Sequence, residues 1–128
     1  MSKKRILVAD DQDEILSLLK DSLSNSGFEV ALCKESKDII HLIKSFHPDL
    51  ILLDLLMPEL GGFEICEILN SDTLTRGIPI IIISGFGDLV GVKKAYNLGV
   101  VGYFVKPFVL NDLTKEINKA IANKEQAL

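Results

Sequence analysis

The sequence predicts a three-layer, doubly wound α/β domain, and three observations carry that expectation. Residues 50–53 (Leu-Ile-Leu-Leu) and 80–83 (four isoleucines) are aliphatic without alternation, as strands covered on both faces must be. Five apolar segments alternate with five amphipathic ones at short spacing, which argues for parallel strands joined by right-handed crossovers. The composition is 48% apolar but only 6% aromatic, so the core is built from Ile, Leu and Val, which suits β-α-β units better than a sandwich. At 128 residues the chain is one domain, 1–128, long enough to bury a full core.

In order, residues 6–9 form a short strand ending at Asp10-Asp11. Ile15, Leu16, Leu19 and Leu23 give helical spacing, closed by Ser26-Gly27. Residues 28–33 read as the second strand. Ile39, Ile40, Leu42, Ile43 and Phe46 mark a second helix, stopped at His47-Pro48. The third strand, 50–53, ends at Asp54, and Pro58 cannot extend a ladder. Gly61-Gly62 breaks the exit loop before a third helix with Phe63, Ile65, Cys66, Ile68 and Leu69. Residues 70–77 are a polar loop. The fourth strand is 78–83, with Pro79 near its start and Ser84-Gly85 at its end. A weaker helix, about 88–98, contains Gly91 and stops before Gly99. Residues 100–105 are the last strand, ending at Lys106-Pro107, and Leu110, Leu113, Ile117, Ala120 and Ile121 share one face of a final helix. The third and fourth strands, being most apolar, should be central. The flavodoxin-like order 2-1-3-4-5 is compatible with this pattern, but periodicity alone does not select it.

Net charge is −4, and the only basic cluster is Lys3-Lys4-Arg5, so direct nucleic-acid binding is not expected. No apolar run approaches the roughly 20 residues needed to cross a bilayer, and residues 6–9 are too short for a signal-peptide core; a cytoplasmic protein is expected. Cys33 and Cys66 lack metal-type spacing and read as reduced, packed thiols. His41 and His47 read as surface residues.

In a parallel sheet the carboxyl ends of strands one, three, four and five lie together. They carry Asp10-Asp11, Asp54, Ser84 and Lys106. Each alone has a plain reading: a helix cap for Asp11 or Asp13, a turn cap for Asp54, loop support for Ser84, a surface cation for Lys106. Together they make a different case. Three close carboxylates repel one another unless cations compensate. Lys106 supplies one charge, and oxygen-only ligands without paired His or Cys point to Mg²⁺ rather than zinc. A hydroxyl and an ammonium facing a metal-bound carboxylate meet the needs of a phosphoryl group.

The motifs Asp10-Asp11, Asp54-Leu-Leu-Met-Pro-Glu-Leu-Gly-Gly62, Ser84-Gly85 and Gly102-Tyr-Phe-Val-Lys-Pro-Phe108 resemble the receiver domain of bacterial two-component response regulators, single-domain chemotaxis regulators in particular. The likeness runs from Ile6 to the last helix. It implies the 2-1-3-4-5 sheet and a phosphoacceptor switch rather than an enzyme with an external substrate. By that resemblance Asp54 accepts a phosphoryl group from the phosphohistidine of a sensor kinase or phosphotransfer protein. Asp11, Asp54 and the Leu56 backbone carbonyl bind Mg²⁺, with Asp10 acting through water. Ser84 and Lys106 engage the phosphoryl group, the Lys106–Pro107 peptide is cis, and Tyr103 turns inward as Ser84 moves. For Tyr103 the plain reading is a partly buried strand residue with its hydroxyl in water. The readout face is then the fourth helix, fifth strand and fifth helix, meeting a downstream protein or a second copy.

Val100 and Val101 depart from the family's usual Ala and Asp, through better packing or an enlarged apolar face. Leu56 and Phe86 flank the acceptor and cannot orient water, so a long-lived phosphoryl group is expected. Met1 and the end at Leu128 suggest a stand-alone regulator.

Three rivals share parts of this pattern. A haloacid-dehalogenase-like phosphohydrolase needs an acid where Leu56 stands. A flavin or nucleotide module needs a glycine-rich first loop, where Asp10-Asp11 would repel phosphate. A phosphorylation-independent pseudo-receiver, working purely by contact, is separated only by a phosphorylation test.

Overall fold

The parallel sheet has the order β2-β1-β3-β4-β5 in the computed structural model, which describes residues 2–126. Met1 and Leu128, on which the stand-alone expectation rests, lie outside the described residues. The strands are β1 (Arg5–Ala9), β2 (Glu29–Cys33), β3 (Leu50–Leu53), β4 (Ile80–Ser84) and β5 (Gly102–Val105). Between and after them run α1 (Asp13–Asn25), α2 (Ile39–Phe46), α3 (Gly62–Ser71), α4 (Leu89–Asn97) and α5 (Leu110–Gln126). The flavodoxin-like order and the five-plus-five alternation are therefore as the sequence and the resemblance led us to expect.

Two cores explain why β1, β3 and β4 show no polar alternation. Successive residues of a strand point to opposite faces. Leu7, Ala9, Ile51, Leu53, Ile80 and Ile82 face Ile39 and Ile43 of α2, Ile65, Cys66 and Leu69 of α3, and Ala95 of α4. Ile6, Val8, Leu50, Leu52, Ile81 and Ile83 face Leu16, Leu19 and Leu23 of α1 and Leu113, Ile117 and Ile121 of α5. Both faces are dry, so every position must be aliphatic. Cys33 and Cys66 are free and buried, and burial pushes both thiols up to about 11.

Helix α1 ends where Gly27 takes the left-handed conformation at φ 97°, and Phe28 N–H reaches back to the Leu23 carbonyl at 3.0 Å. Phe28 is consumed by that turn, so β2 starts one residue later than its apolar run. Similarly, β4 begins at Ile80 because Pro79 has no N–H to donate, although its carbonyl accepts from Ile51 N–H at 3.0 Å. β5 is shorter than the 100–105 run: Val100 N–H turns back to the Ala95 carbonyl at 3.3 Å, finishing α4. Val100 packs in the core, whereas Val101 is 46% exposed, so packing accounts for one of the pair only.

A 3-10 turn at Ser36–Asp38, which periodicity did not signal, precedes α2. Its buried Ser36 hydroxyl donates to the Pro58 carbonyl at 2.6 Å and accepts from Leu60 N–H at 3.0 Å. That residue ties the loop after β3 to the loop after β2.

Candidate functional site

Strand register alone assembles the site. β1 pairs with β3 so that Ala9 lies opposite Leu53, and β3 pairs with β4 so that Leu53 lies opposite Ile82. One residue beyond this row the strands leave the ladder: Asp54 N–H donates to the Ala9 carbonyl at 2.9 Å, and Asp10 N–H to the Cys33 carbonyl at 3.0 Å. Asp10 and Asp54 thus stand beside each other on adjacent strand ends. β5 pairs with β4 with Ser84 opposite Val105, and Lys106 N–H donates to the Ser84 carbonyl at 2.7 Å. Residues up to 96 positions apart meet in this way.

Carboxylate oxygens of Asp10, Asp11 and Asp54 lie within 4.8 Å of one another. Asp10 is fully buried, Asp54 is 4% exposed and Asp11 sits at the rim. The Lys106 ammonium reaches across from β5, 2.7 Å from Asp10 Oδ2 and 3.4 Å from Asp54 Oδ2. The other Asp54 oxygen, Oδ1, accepts the Leu56 N–H at 3.1 Å. Burial pushes the Asp10 carboxyl above its ordinary value, and the Asp54 charge adds to this. The Lys106 ammonium and the Gln12 N–H act against it without cancelling it.

The donor set suits a small hard cation. It is all carboxylate oxygen, carries more negative charge than Lys106 neutralises, and contains no thiolate or imidazole. Asp10 already uses both oxygens, one on Lys106 and one on the Gln12 N–H at 2.9 Å. It is thus less free for direct ligation than Asp11.

Ser84 is fully buried, and its hydroxyl accepts the Phe86 N–H at 3.2 Å. The Tyr103 hydroxyl donates to the Phe86 carbonyl at an exposed position, and its half-buried ring packs against the α2–α3–α4 core. Burial raises the Tyr103 pKa, and the nearby Ser84 hydroxyl opposes the rise. The Lys106–Pro107 peptide is cis. Leu56 and Phe86 are 63% and 52% exposed at the mouth. Asp10, Asp11, Asp54, Ser84 and Lys106 therefore converge on one edge, Tyr103 stands within β5 beside it, and His41 and His47 are exposed elsewhere.

Two residues escaped the sequence reading. Gly62 abuts Leu55 so closely that a Cβ there would lie 2.7 Å from Leu55 Cα and 3.1 Å from the Asp54 carbonyl oxygen. Gln12 is the second: its side-chain oxygen accepts from Lys106 Nζ at 2.7 Å. A signal for it existed, since glutamine is a poor helix N-cap and occupies that position before α1.

Comparison with known proteins agrees with this geometry. Residues 6–118 match the family described as the response regulator receiver domain. A "Probable transcriptional regulator ycf27" of Cyanophora paradoxa is 33% identical over 125 residues, covering 98% of this chain and 51% of that protein. The DNA-binding response regulator MtrA of Mycolicibacterium smegmatis is 29% identical over 123 residues, 96% of this chain and 53% of its own length. The chain thus spans about half the length of these curated relatives. Among solved structures, a CheY-like receiver domain protein from Methanospirillum hungatei superposes with a TM-score of 0.92 at 28% identity, covering 99% of this chain and 100% of that one. A receiver domain protein from Clostridium thermocellum gives 0.89 at 31% identity, over 98% and 99% of the two chains. A family match over residues 6–118, most of the chain, places it in the response regulator receiver domain family of two-component systems.

Proposed function

We propose that the chain is a phosphorylation-dependent switch in which Asp54 accepts a phosphoryl group from the phosphohistidine of a sensor kinase or phosphotransfer protein. The observation that carries this is the buried Asp54 carboxylate, set between the Lys106 ammonium and two further acids on one sheet edge. An Asp54 oxygen attacks phosphorus, the P–N bond breaks, and the imidazole leaves with the electron pair and takes up a proton. Asp11, Asp54 and the Leu56 carbonyl would hold Mg²⁺, with Asp10 contributing through water. Mg²⁺ bound there neutralises charge on the carboxylates and the phosphoryl oxygens. Lys106 pairs with one phosphoryl oxygen and the Ser84 hydroxyl donates to another. Catalysis is otherwise positioning, so the chain promotes its own modification and slow dephosphorylation and has no external substrate to turn over.

Drawing Ser84 toward the phosphoryl group ends its bond with Phe86 N–H and shifts the loop before α4. Tyr103, already bonded to the Phe86 carbonyl, follows that loop. The surface so moved is α4–β5–α5, where Leu89, Val90, Val101, Val105 and Val109 are exposed. This is the face for a downstream protein or a second copy of the chain. No described helix is long and apolar enough to cross a membrane, and we assign the protein to the cytoplasm, where the kinase's donor domain is found.

The test is incubation with acetyl phosphate and Mg²⁺ followed by mass measurement. Wild type should gain about 80 Da, one phosphoryl group, and Asp54→Asn should gain nothing. A wild-type chain that stays unmodified under donor excess would establish the pseudo-receiver reading instead.

A further inference from the structure

We propose that Gln12 is a positioning residue that holds the Lys106 ammonium away from the acceptor until a phosphoryl group claims it. The inference rests on the reading of Asp54 as acceptor. An ammonium has three protons to donate. Those of Lys106 go to Asp10 Oδ2 at 2.7 Å, Gln12 Oε1 at 2.7 Å and Asp54 Oδ2 at 3.4 Å. The weakest of the three contacts is the one with the reacting carboxylate. Gln12 occupies the N-cap position of α1 but makes no side-chain cap bond. Its amide turns to Lys106 instead, while its backbone N–H binds Asp10 Oδ1 at 2.9 Å. One residue therefore grips both members of the Asp10–Lys106 pair. The Gln12 side chain is exposed and belongs to neither core, so packing does not explain its orientation.

A neutral amide is a weaker acceptor for an ammonium than a phosphoryl oxygen, whose negative charge makes the bond an ion pair as well. Lys106 therefore exchanges Gln12 for the phosphoryl group as the Asp54 O–P bond forms. With acetyl phosphate as donor, the P–O bond to acetyl breaks and acetate leaves with the electron pair. Because the Lys106–Gln12 contact must be given up on the way, its presence slows formation. It does not affect decay, because Lys106 is already on the phosphoryl group when hydrolysis begins. Gln12 thus sets how readily the switch is charged and leaves its lifetime alone.

The experiment follows formation by mass under acetyl phosphate and Mg²⁺, then decay after donor removal, for wild type, Gln12→Met and Gln12→Glu. Gln12→Met keeps length and neutrality but loses the acceptor. It should form phosphoprotein about fivefold faster, equivalent to roughly 1 kcal/mol at about 1.4 kcal/mol per tenfold, with decay unchanged. Gln12→Glu, a stronger acceptor, should form it more slowly. A structural disturbance would lower the melting temperature and move both rates together. Formation by Gln12→Met at or below the wild-type rate, or a matching change in its decay, overturns the proposal while leaving Asp54 as acceptor. A wild type that never gains a phosphoryl group removes the acceptor reading and this inference with it.

Discussion

Replacing Gly62 by alanine tests how tightly the acceptor loop is held. The new Cβ would stand 2.7 Å from Leu55 Cα and 2.8 Å from Leu55 Cδ2, against an ordinary contact of at least 3.4 Å. The Leu55 backbone or the start of α3 must therefore retreat by roughly 0.7 Å. Neither end is free: Gly62 N–H bonds the Leu55 carbonyl at 3.1 Å, and Ser36 fixes the far side of the same loop. Overpacking of this kind costs about 1–3 kcal/mol. Alanine's better helix propensity returns at most about 1 kcal/mol, and less at a first-turn position. The net loss is about 1–2 kcal/mol, or roughly 4–8 °C in melting temperature for a domain of this size. Because Asp54 directly precedes the displaced residue, phosphorylation by acetyl phosphate should fall about tenfold, less than the hundredfold a full ångström can cost. Gly61→Ala is the matched control. Its Cβ would meet Glu64 Oε1 at 3.5 Å and the Leu55 carbonyl at 3.9 Å, both ordinary contacts, so it should stay within about 0.5 kcal/mol of wild type. Melting followed by circular dichroism, with mass-detected phosphorylation, reads both variants. A Gly62→Ala protein as stable and as fast as wild type would refute the close-approach argument.

Three further outcomes follow from the site. The folded-state pKa of Asp10 is raised by burial from an ordinary 3.8, so its ionised form opposes folding when no cation is bound. That penalty is absent below 3.8, grows as pH rises through the elevated folded value, and is complete once the folded-state carboxyl is ionised. In EDTA, Asp10→Asn should melt above wild type at pH 7, and the gap should close on acidification; an Asn variant less stable at every pH contradicts this. Added Mg²⁺ should stabilise the wild type by about 1.4 kcal/mol at tenfold excess over Kd, read as a higher melting temperature, and should do so much less for Asp11→Asn. Leu56 and Phe86 line the mouth with apolar, exposed side chains that cannot orient an attacking water. Leu56→Asn, which can hold a water, and Phe86→Ala, which uncovers its approach, should shorten phosphoryl lifetime several-fold in a decay assay with Mg²⁺ present; unchanged lifetimes would sink the idea.

Much of the fold was legible because burial on both faces leaves a distinct trace. Leu50 to Leu53 and the isoleucines of β4 could belong only to covered strands, and every acid, alcohol and amine of the site sat where such a run stopped. Strand edges were read less well, for local reasons. Val100 looks like strand but spends its N–H on finishing α4, and Phe28 spends its own on closing α1. The 3-10 turn at Ser36 has no apolar period to announce it. Gly62 read as a loop breaker, because a close approach of backbones depends on where two distant segments meet and not on either alone. Gln12 carried only the weak signal of an ill-suited cap. Tyr103 was open between water and interior, and its ring packs inward with the hydroxyl on a carbonyl.

The cation of the site stands just past the outermost strand of the sheet. β5 has only β4 as a neighbour, whereas the acids come from β1 and β3 in the middle. Fraying of that one margin would carry Lys106 off and leave the carboxylates in place, still able to grip a metal but with no ammonium to greet the incoming phosphorus. On the proposed function, competence to be charged therefore depends on an edge strand of the sheet, and a partner that clasped β5 would govern the chemistry without touching Asp54.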